Sequence, residues 1–268
     1  MEKPVSKLET IKTPDGNQIS FYPERGGIIT SLKFKGEEVL YMDETTLNDQ
    51  KVSVRGGIPI LFPNAGPLES PKYPNLKQHG FARDSSNWKI QKNNNGFKET
   101  LVLNKETREV FPYDFNFSME VKFEENGSFT INQIVENLEE KEDLPISMGL
   151  HPYFKIPQDK KGEIKFNFEG GRLIEEQVEL WANGKPISID NPKIKDLNSV
   201  MVIVIPSLGN LVIDASFLYK KIWVWSMPGK DFVCIEPVMR DIRGLVDDPE
   251  MIKPKETLIA RVNFDLKK

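Results

Sequence analysis

Phe117-Ser118-Met119-Glu120-Val121-Lys122-Phe123 alternates apolar and polar side chains, Asn126-Gly127 follows, and Phe129, Ile131 and Val135 resume the apolar pattern with breaks. A period of two puts the apolar side chains on one face of an extended strand and the polar ones on the other. Asn-Gly between two such runs is a strong hairpin signal, because a tight two-residue turn needs positive φ at both positions. Leu32-Lys33-Phe34-Lys35-Gly36-Glu37-Glu38-Val39-Leu40-Tyr41 reads as a second hairpin. Further strands are expected at Gln18 to Tyr22, Trp88 to Gln91, Thr100 to Leu103, Ile164 to Phe168 and Val200 to Ile205. The C-terminal third adds Asn210 to Asp214, Lys221 to Trp225, Phe232 to Ile235 and Thr257 to Phe264. No stretch sustains a period of 3.6 residues over three turns, so helix is confined to short pieces near Gly229 to Asp231 or Asp247 to Met251. With 19 prolines and 18 glycines punctuating the chain, many short strands joined by turns predict an all-β, antiparallel sandwich or barrel. No repeat and no Gly/Ser-rich linker divides the sequence, so residues 1–268 are expected to form a single domain.

Charge is balanced, 36 basic against 40 acidic residues for a formal net charge of −4, and the basic residues are interleaved with acids. A nucleic-acid surface would need a clustered basic excess, so that partner class is excluded. The N-terminal Met1-Glu2-Lys3-Pro4 leads into no apolar stretch, and the longest apolar run, Val200 to Pro206, is strand-sized; no secretory signal and no membrane span are expected. A single cysteine, Cys234, leaves no internal disulfide and fits a reducing cytoplasm. Two histidines and that cysteine have no finger-like spacing, so no structural zinc is expected. The acidic run Glu139 to Asp143 reads as a solvated turn.

The candidate chemistry gathers in a few dense stretches. The only two histidines stand in Gln78-His79-Gly80-Phe81-Ala82-Arg83 and Gly149-Leu150-His151-Pro152-Tyr153-Phe154, both rich in turn formers and aromatics. Pro152 pushes His151 toward extended backbone. Of Tyr153 and Phe154, one is expected in the core. Phe232-Val233-Cys234-Ile235-Glu236-Pro237 carries a glutamate out of an apolar run. Glutamate is almost never buried unless paired, so a strand-end place at a pocket explains it, and desolvation there would raise its pKa toward that of a general base. Cys234 reads as packing. Trp223 and Trp225 share one strand face, as a core pair or a sugar platform. Arg55-Gly56-Gly57-Ile58-Pro59 is either a bulged strand or a place where backbone approaches a ligand beside a guanidinium. Arg83 either holds a substrate or pairs with an acid such as Asp84.

Together, Arg55-Gly56-Gly57-Ile58-Pro59, His79-Gly80-Phe81-Ala82-Arg83, Gly149-Leu150-His151-Pro152-Tyr153-Phe154 and Cys234-Ile235-Glu236-Pro237 resemble the aldose 1-epimerase (galactose mutarotase-like) family, including its hexose-6-phosphate mutarotase branch. The four blocks match in order across nearly the whole chain. The resemblance implies a large antiparallel β-sandwich, the galactose mutarotase-like supersandwich, with a sugar cleft on one sheet and interconversion of α and β anomers without metal or redox cofactor. By motif, Glu236 matches the general base, His151 the general acid and His79 the second active-site histidine. Arg55 and Arg83 match arginines near the sugar, and Asp196, with Asp190 in competition, matches an aspartate that binds sugar hydroxyls. Three readings follow: a mutarotase for a free aldose; the same reaction on a hexose 6-phosphate, with Arg55 and Arg83 (and Lys77 as an extra contact) on the phosphate; or a carbohydrate-binding module without turnover. Intact His151 and Glu236 argue against the last.

Overall fold

In the computed structural model, which describes residues 8–267, the strands Phe115–Phe123 and Phe129–Asn137 pair in register from Phe115 opposite Asn137 to Phe123 opposite Phe129. The Met1-to-Pro4 stretch read for a targeting signal lies outside the described residues. The turn between these strands differs from the tight form: Glu124 N–H donates to the Ser128 carbonyl, closing a five-residue loop. Only Gly127 there has positive φ, at 84°, while the Asn126 side chain accepts from Ser128 N–H and hydroxyl. Asn126 thus acts through its side chain. The two-residue form appears in the second hairpin, where Lys35 and Gly36 turn at φ 47° and 89° between Ile28–Phe34 and Glu37–Glu38.

The first hairpin sits inside an eight-stranded sheet in the order Lys165–Asn167, Met201–Ile205, Gly209–Ala215, Thr257–Lys267, Phe129–Asn137, Phe115–Phe123, Gly96–Leu101, Trp88–Lys92. A six-stranded sheet runs Ile187–Asp190, Lys221–Trp225, Phe232–Val238, Gly149–Leu150, Ile60–Leu61, with Tyr153–Lys155 also paired to Phe232–Val238. Every strand ladder is antiparallel. Most predicted strands form within a residue or two of expectation. Gly96–Leu101 begins earlier than the reading at Thr100, because Gly96 lets the strand start against the Val121 carbonyl.

The sheets meet through aromatic rings. Phe62 stacks on Phe117 with centroids 4.1 Å apart, and Phe154 meets Phe264 at 5.9 Å. Two of the buried polar groups there are satisfied: Tyr219 donates to Gln133 Oε1 at 2.8 Å, and Gln133 donates to the Gly149 carbonyl at 3.3 Å. Each buried phenyl contributes roughly 1.5–3 kcal/mol, so this shared core fixes how the six-stranded sheet lies on the larger one.

Helices are short. Glu44–Asn48 is capped by Asp43, and Lys105–Val110 is capped by a reciprocal Asn104–Thr107 box. Gly171–Glu176 and Val178–Trp181 follow, none of them long enough for periodicity to reveal. The helix expected at Asp247 to Met251 lies instead at Gly244–Asp247, and Glu250–Ile252 is a strand. Gly229 to Asp231 is a turn. Among the described residues no helix is long and apolar enough to cross a membrane.

Candidate active site

The site follows from strand alternation on the six-stranded sheet. Along Phe232–Val238, Val233 and Ile235 join the core between the sheets, so Cys234 and Glu236 face the other way. Residues directly opposite in a ladder share a face. Tyr153 and Trp225 lie opposite Cys234, Trp223 lies opposite Glu236, and Ser188 lies opposite Trp223. His151, two residues before Tyr153, joins the same face, and Phe154 takes the core side. Here a cavity of about 870 Å³ opens, lined by Arg55, His79, Arg83, His151, Tyr153, Trp223, Trp225, Glu236 and Asp241 among others.

His151 and Glu236 form its floor, 6% and 3% exposed. His151 Nε2 lies 3.5 Å from Glu236 Oε1. Burial pushes the Glu236 carboxyl well above its ordinary range, with Arg83 opposing. Burial, then His79 and the Arg83 charge, pushes the His151 imidazole well below its own. Burial therefore disfavours the charged form of each group. The ring of His151 is fixed by stacking on Tyr153 at 4.7 Å and 9°, with Trp225 edge-on at 5.9 Å. Its backbone N–H is bonded to the Pro59 carbonyl.

His79 stands beside them, its ring 5.6 Å from that of His151. Its φ of 67° and the 72° of Gly80 fold the chain back tightly. A side chain at Gly80 would meet the Phe62 carbonyl oxygen at 1.9 Å, so glycine is required there. Gly66 N–H donates to His79 Nδ1 at 3.0 Å, which leaves the proton on Nε2. Burial and then Arg83 lower its pKa to about 3, so His79 is neutral, with its Nε2 3.1 Å from the Gln78 side-chain amide.

Both arginines reach the cavity. Arg83 donates to the Val54 carbonyl at 3.2 Å, and Arg55 approaches Met227 Sδ at 3.4 Å. Neither forms an ion pair among the described residues, so Arg83 is not tied to Asp84. Gly56 and Gly57 serve packing: added side chains would meet the Met42 backbone at 2.6 Å and the Ile29 carbonyl at 2.2 Å. That close fit lets the segment run beneath the His151 strand, where the Gly57 carbonyl accepts from Tyr153 N–H. The glycines thus support Arg55 and its neighbours and bring no backbone to a ligand.

The aspartate expected at Asp196 is not brought to the cavity: it is exposed in a turn, accepting from Asn198 N–H. Asp190 is also exposed, paired to Lys221 at 2.8 Å. The aspartate that does line the cavity is Asp241, which accepts from the Ser188 hydroxyl and from Trp223 Nε1 at 2.9 Å. Burial pushes its carboxyl up, but those hydrogen bonds and Lys221 outweigh this and hold it below its ordinary range. Asp241 and Ser188 were missed by sequence reasoning. The signal was the position of Asp241, five residues beyond Glu236 where the chain leaves the sheet. Lys77 does not line the cavity. Trp225 Nε1 is held by the Gly184 carbonyl at 3.1 Å, so both tryptophans wall the cavity with fixed rings.

The aldose 1-epimerase family model matches residues 7–207 of the chain. A protein of Cenchrus ciliaris named "Putative glucose-6-phosphate 1-epimerase" is 24% identical over 302 residues, covering 95% of this chain and 86% of the relative. A Salmonella typhimurium protein of the same name is 30% identical over 158 residues, covering 56% and 49%. Among solved structures, a protein from Synechocystis sp. PCC 6803 superposes with a TM-score of 0.82 at 27% identity, covering 99% of this chain and 96% of its own. A galactose mutarotase related enzyme from Lactobacillus acidophilus shares the fold, with a TM-score of 0.75 at 18% identity and 98% of each chain covered.

Proposed function

The chain belongs to the aldose 1-epimerase family, and from that membership and the cavity geometry we propose that it interconverts the α and β anomers of a hexose, with Glu236 as general base and His151 as general acid. The observation that carries this reading is the buried His151–Glu236 pair, 3.5 Å apart on a cavity floor. Mutarotation removes the proton from the anomeric hydroxyl and delivers one to the ring oxygen. Those two oxygens are bonded to the same carbon, so neighbouring groups can serve one each. In the working form the Glu236 carboxylate takes the hydroxyl proton while the His151 imidazolium protonates the ring oxygen. The bond from the anomeric carbon to the ring oxygen breaks, an aldehyde forms, the C1–C2 bond rotates, and the reverse transfers close the ring on the other face. The pair carries one proton at the start and at the end, so the cycle resets itself. His79 donates through Nε2 to a sugar oxygen, Asp241 and Ser188 bind hydroxyls, and Trp223 and Trp225 pack the ring faces.

Within this reaction, a hexose 6-phosphate is the substrate that the cavity charge favours. Arg55 and Arg83 enter the cavity without a carboxylate partner among the described residues, and an uncompensated pair of guanidinium groups suits a phosphate. Relatives carry that substrate in their names. The test is polarimetric anomer equilibration over a panel of free hexoses and hexose 6-phosphates. Acceleration in proportion to protein, greatest for a 6-phosphate, is expected; no acceleration with any member refutes the reading.

A further inference from the structure

Sequence spacing gave no reason to place a metal on this chain, but the fold gathers three different donors at one point. His151, Cys234 and Glu236 each offer a ligand atom, all within 4.8 Å of one another and all buried. Cys234 and Glu236 come together because they are two apart on one strand. His151 reaches them from the link between Gly149–Leu150 and Tyr153–Lys155, two residues before Tyr153, which lies opposite Cys234. With the ligand atoms no more than 4.8 Å apart, an ion at their centre lies within about 2.8 Å of each. That range contains the roughly 2.0–2.3 Å bonds of zinc to nitrogen, oxygen and sulfur. The Glu236 carboxylate makes no hydrogen bond among the described residues, so no donor has to be displaced before it binds. A fourth coordination position would open on the cavity that His151 and Glu236 line.

We propose that His151, Cys234 and Glu236 bind a soft divalent cation of the zinc class, and that the bound cation inhibits the enzyme. Three protein donors with one open position is a familiar zinc arrangement, and a thiolate in the set selects Zn²⁺ or Cd²⁺ over Mg²⁺ and Ca²⁺. Binding releases two protons to solvent, the thiol proton of Cys234 and the proton carried by the His151–Glu236 pair. It engages both members of the His151–Glu236 pair, so a metal-bound molecule has neither the proposed base nor the proposed acid free. Cys234 itself takes no part in the proton transfers. Its place beside the pair makes the reaction sensitive to metal.

The inhibitory half rests on the proposed acid–base roles; the binding half does not, and the experiment separates them. Zn²⁺ is titrated into the purified chain by calorimetry, and Co²⁺ is added separately to look for the near-ultraviolet thiolate-to-cobalt band. One ion per chain and the cobalt band are expected, together with loss of anomer exchange at saturating Zn²⁺. Cys234→Ser should keep its metal-free turnover, lose the band and weaken binding by about tenfold or more. Cys234→Ala is the parallel variant, and circular dichroism verifies that each is folded. No Zn²⁺ binding to the wild-type chain, or unchanged binding in both folded variants, overturns the site. Metal binding without any anomer exchange would overturn the proposed function and leave the site standing.

Discussion

Replacing Glu236 by glutamine keeps the shape of the side chain and removes its capacity to take a proton. The group is 3% exposed and 3.5 Å from His151 Nε2. A positioned proton transfer contributes roughly 10²–10⁴-fold, or about 3–5 kcal/mol of barrier, and this is the loss of turnover expected for Glu236→Gln. The Michaelis constant should change little, because the arginines, His79 and Asp241 are untouched. Stability supplies the control. A carboxyl whose folded pKa is raised contributes stability fully present below the unfolded pKa and lost as pH rises through the folded one. Glutamine does not titrate, so from neutral pH upward Glu236→Gln should melt at or above the wild-type temperature. Polarimetric turnover and thermal melts on the same samples would measure both. A turnover within about threefold of wild type, or a loss accompanied by a lower melting temperature at pH 8, would refute the reasoning.

Arg83→Met should raise the Michaelis constant for a hexose 6-phosphate by roughly 10- to 150-fold, the equivalent of about 1.5–3 kcal/mol for a charge-assisted contact, and leave a free hexose nearly unchanged. Equal losses on both substrates would assign Arg83 to the sugar ring. Glu99 lies at 0% exposure with both carboxylate oxygens unpartnered, and burial raises its pKa well above the ordinary range. Its stability contribution is therefore present in acid and lost as pH rises, so Glu99→Gln should gain stability over wild type between pH 6 and pH 9 in denaturant titrations. Gly80→Ala combines a φ of 72° with a 1.9 Å clash against the Phe62 carbonyl. It should lose about 2 kcal/mol or more by urea unfolding and displace His79, costing activity even in the folded fraction.

Strands were legible because a half-buried sheet writes its alternation directly into the chain, as in Phe117 to Phe123 and Lys221 to Trp225. The short helices were not, because a piece of four to six residues such as Val178–Trp181 completes too few turns to show a period. The Asn126-Gly127 step announced a hairpin correctly, but not its loop size, which depends on which groups bond to the Asn126 side chain. In the cavity, the histidines stood out in stretches rich in turn formers and aromatics, and Glu236 as a charged residue at the end of an apolar run. Asp241 did not, because its partners Ser188 and Trp223 are distant in sequence and meet it only when Ile187–Asp190 pairs with Lys221–Trp225. Asp196 misled for the converse reason: a matching residue type in a surface turn carries no information about where the turn lies. The approach of Cys234 to His151 is likewise a product of strand pairing, which spacing along the chain does not encode.

The central claim, acid–base anomer exchange at the His151–Glu236 pair, is tested most directly by magnetisation-exchange NMR on an equilibrated hexose 6-phosphate in heavy water. The account predicts α-to-β exchange that rises linearly with protein concentration, collapses in Glu236→Gln and His151→Asn, and leaves the hydrogens on C1 and C2 unlabelled, because the ring opens without touching a carbon-bound proton. Exchange no faster than the spontaneous rate, or deuterium appearing at C2, would contradict it.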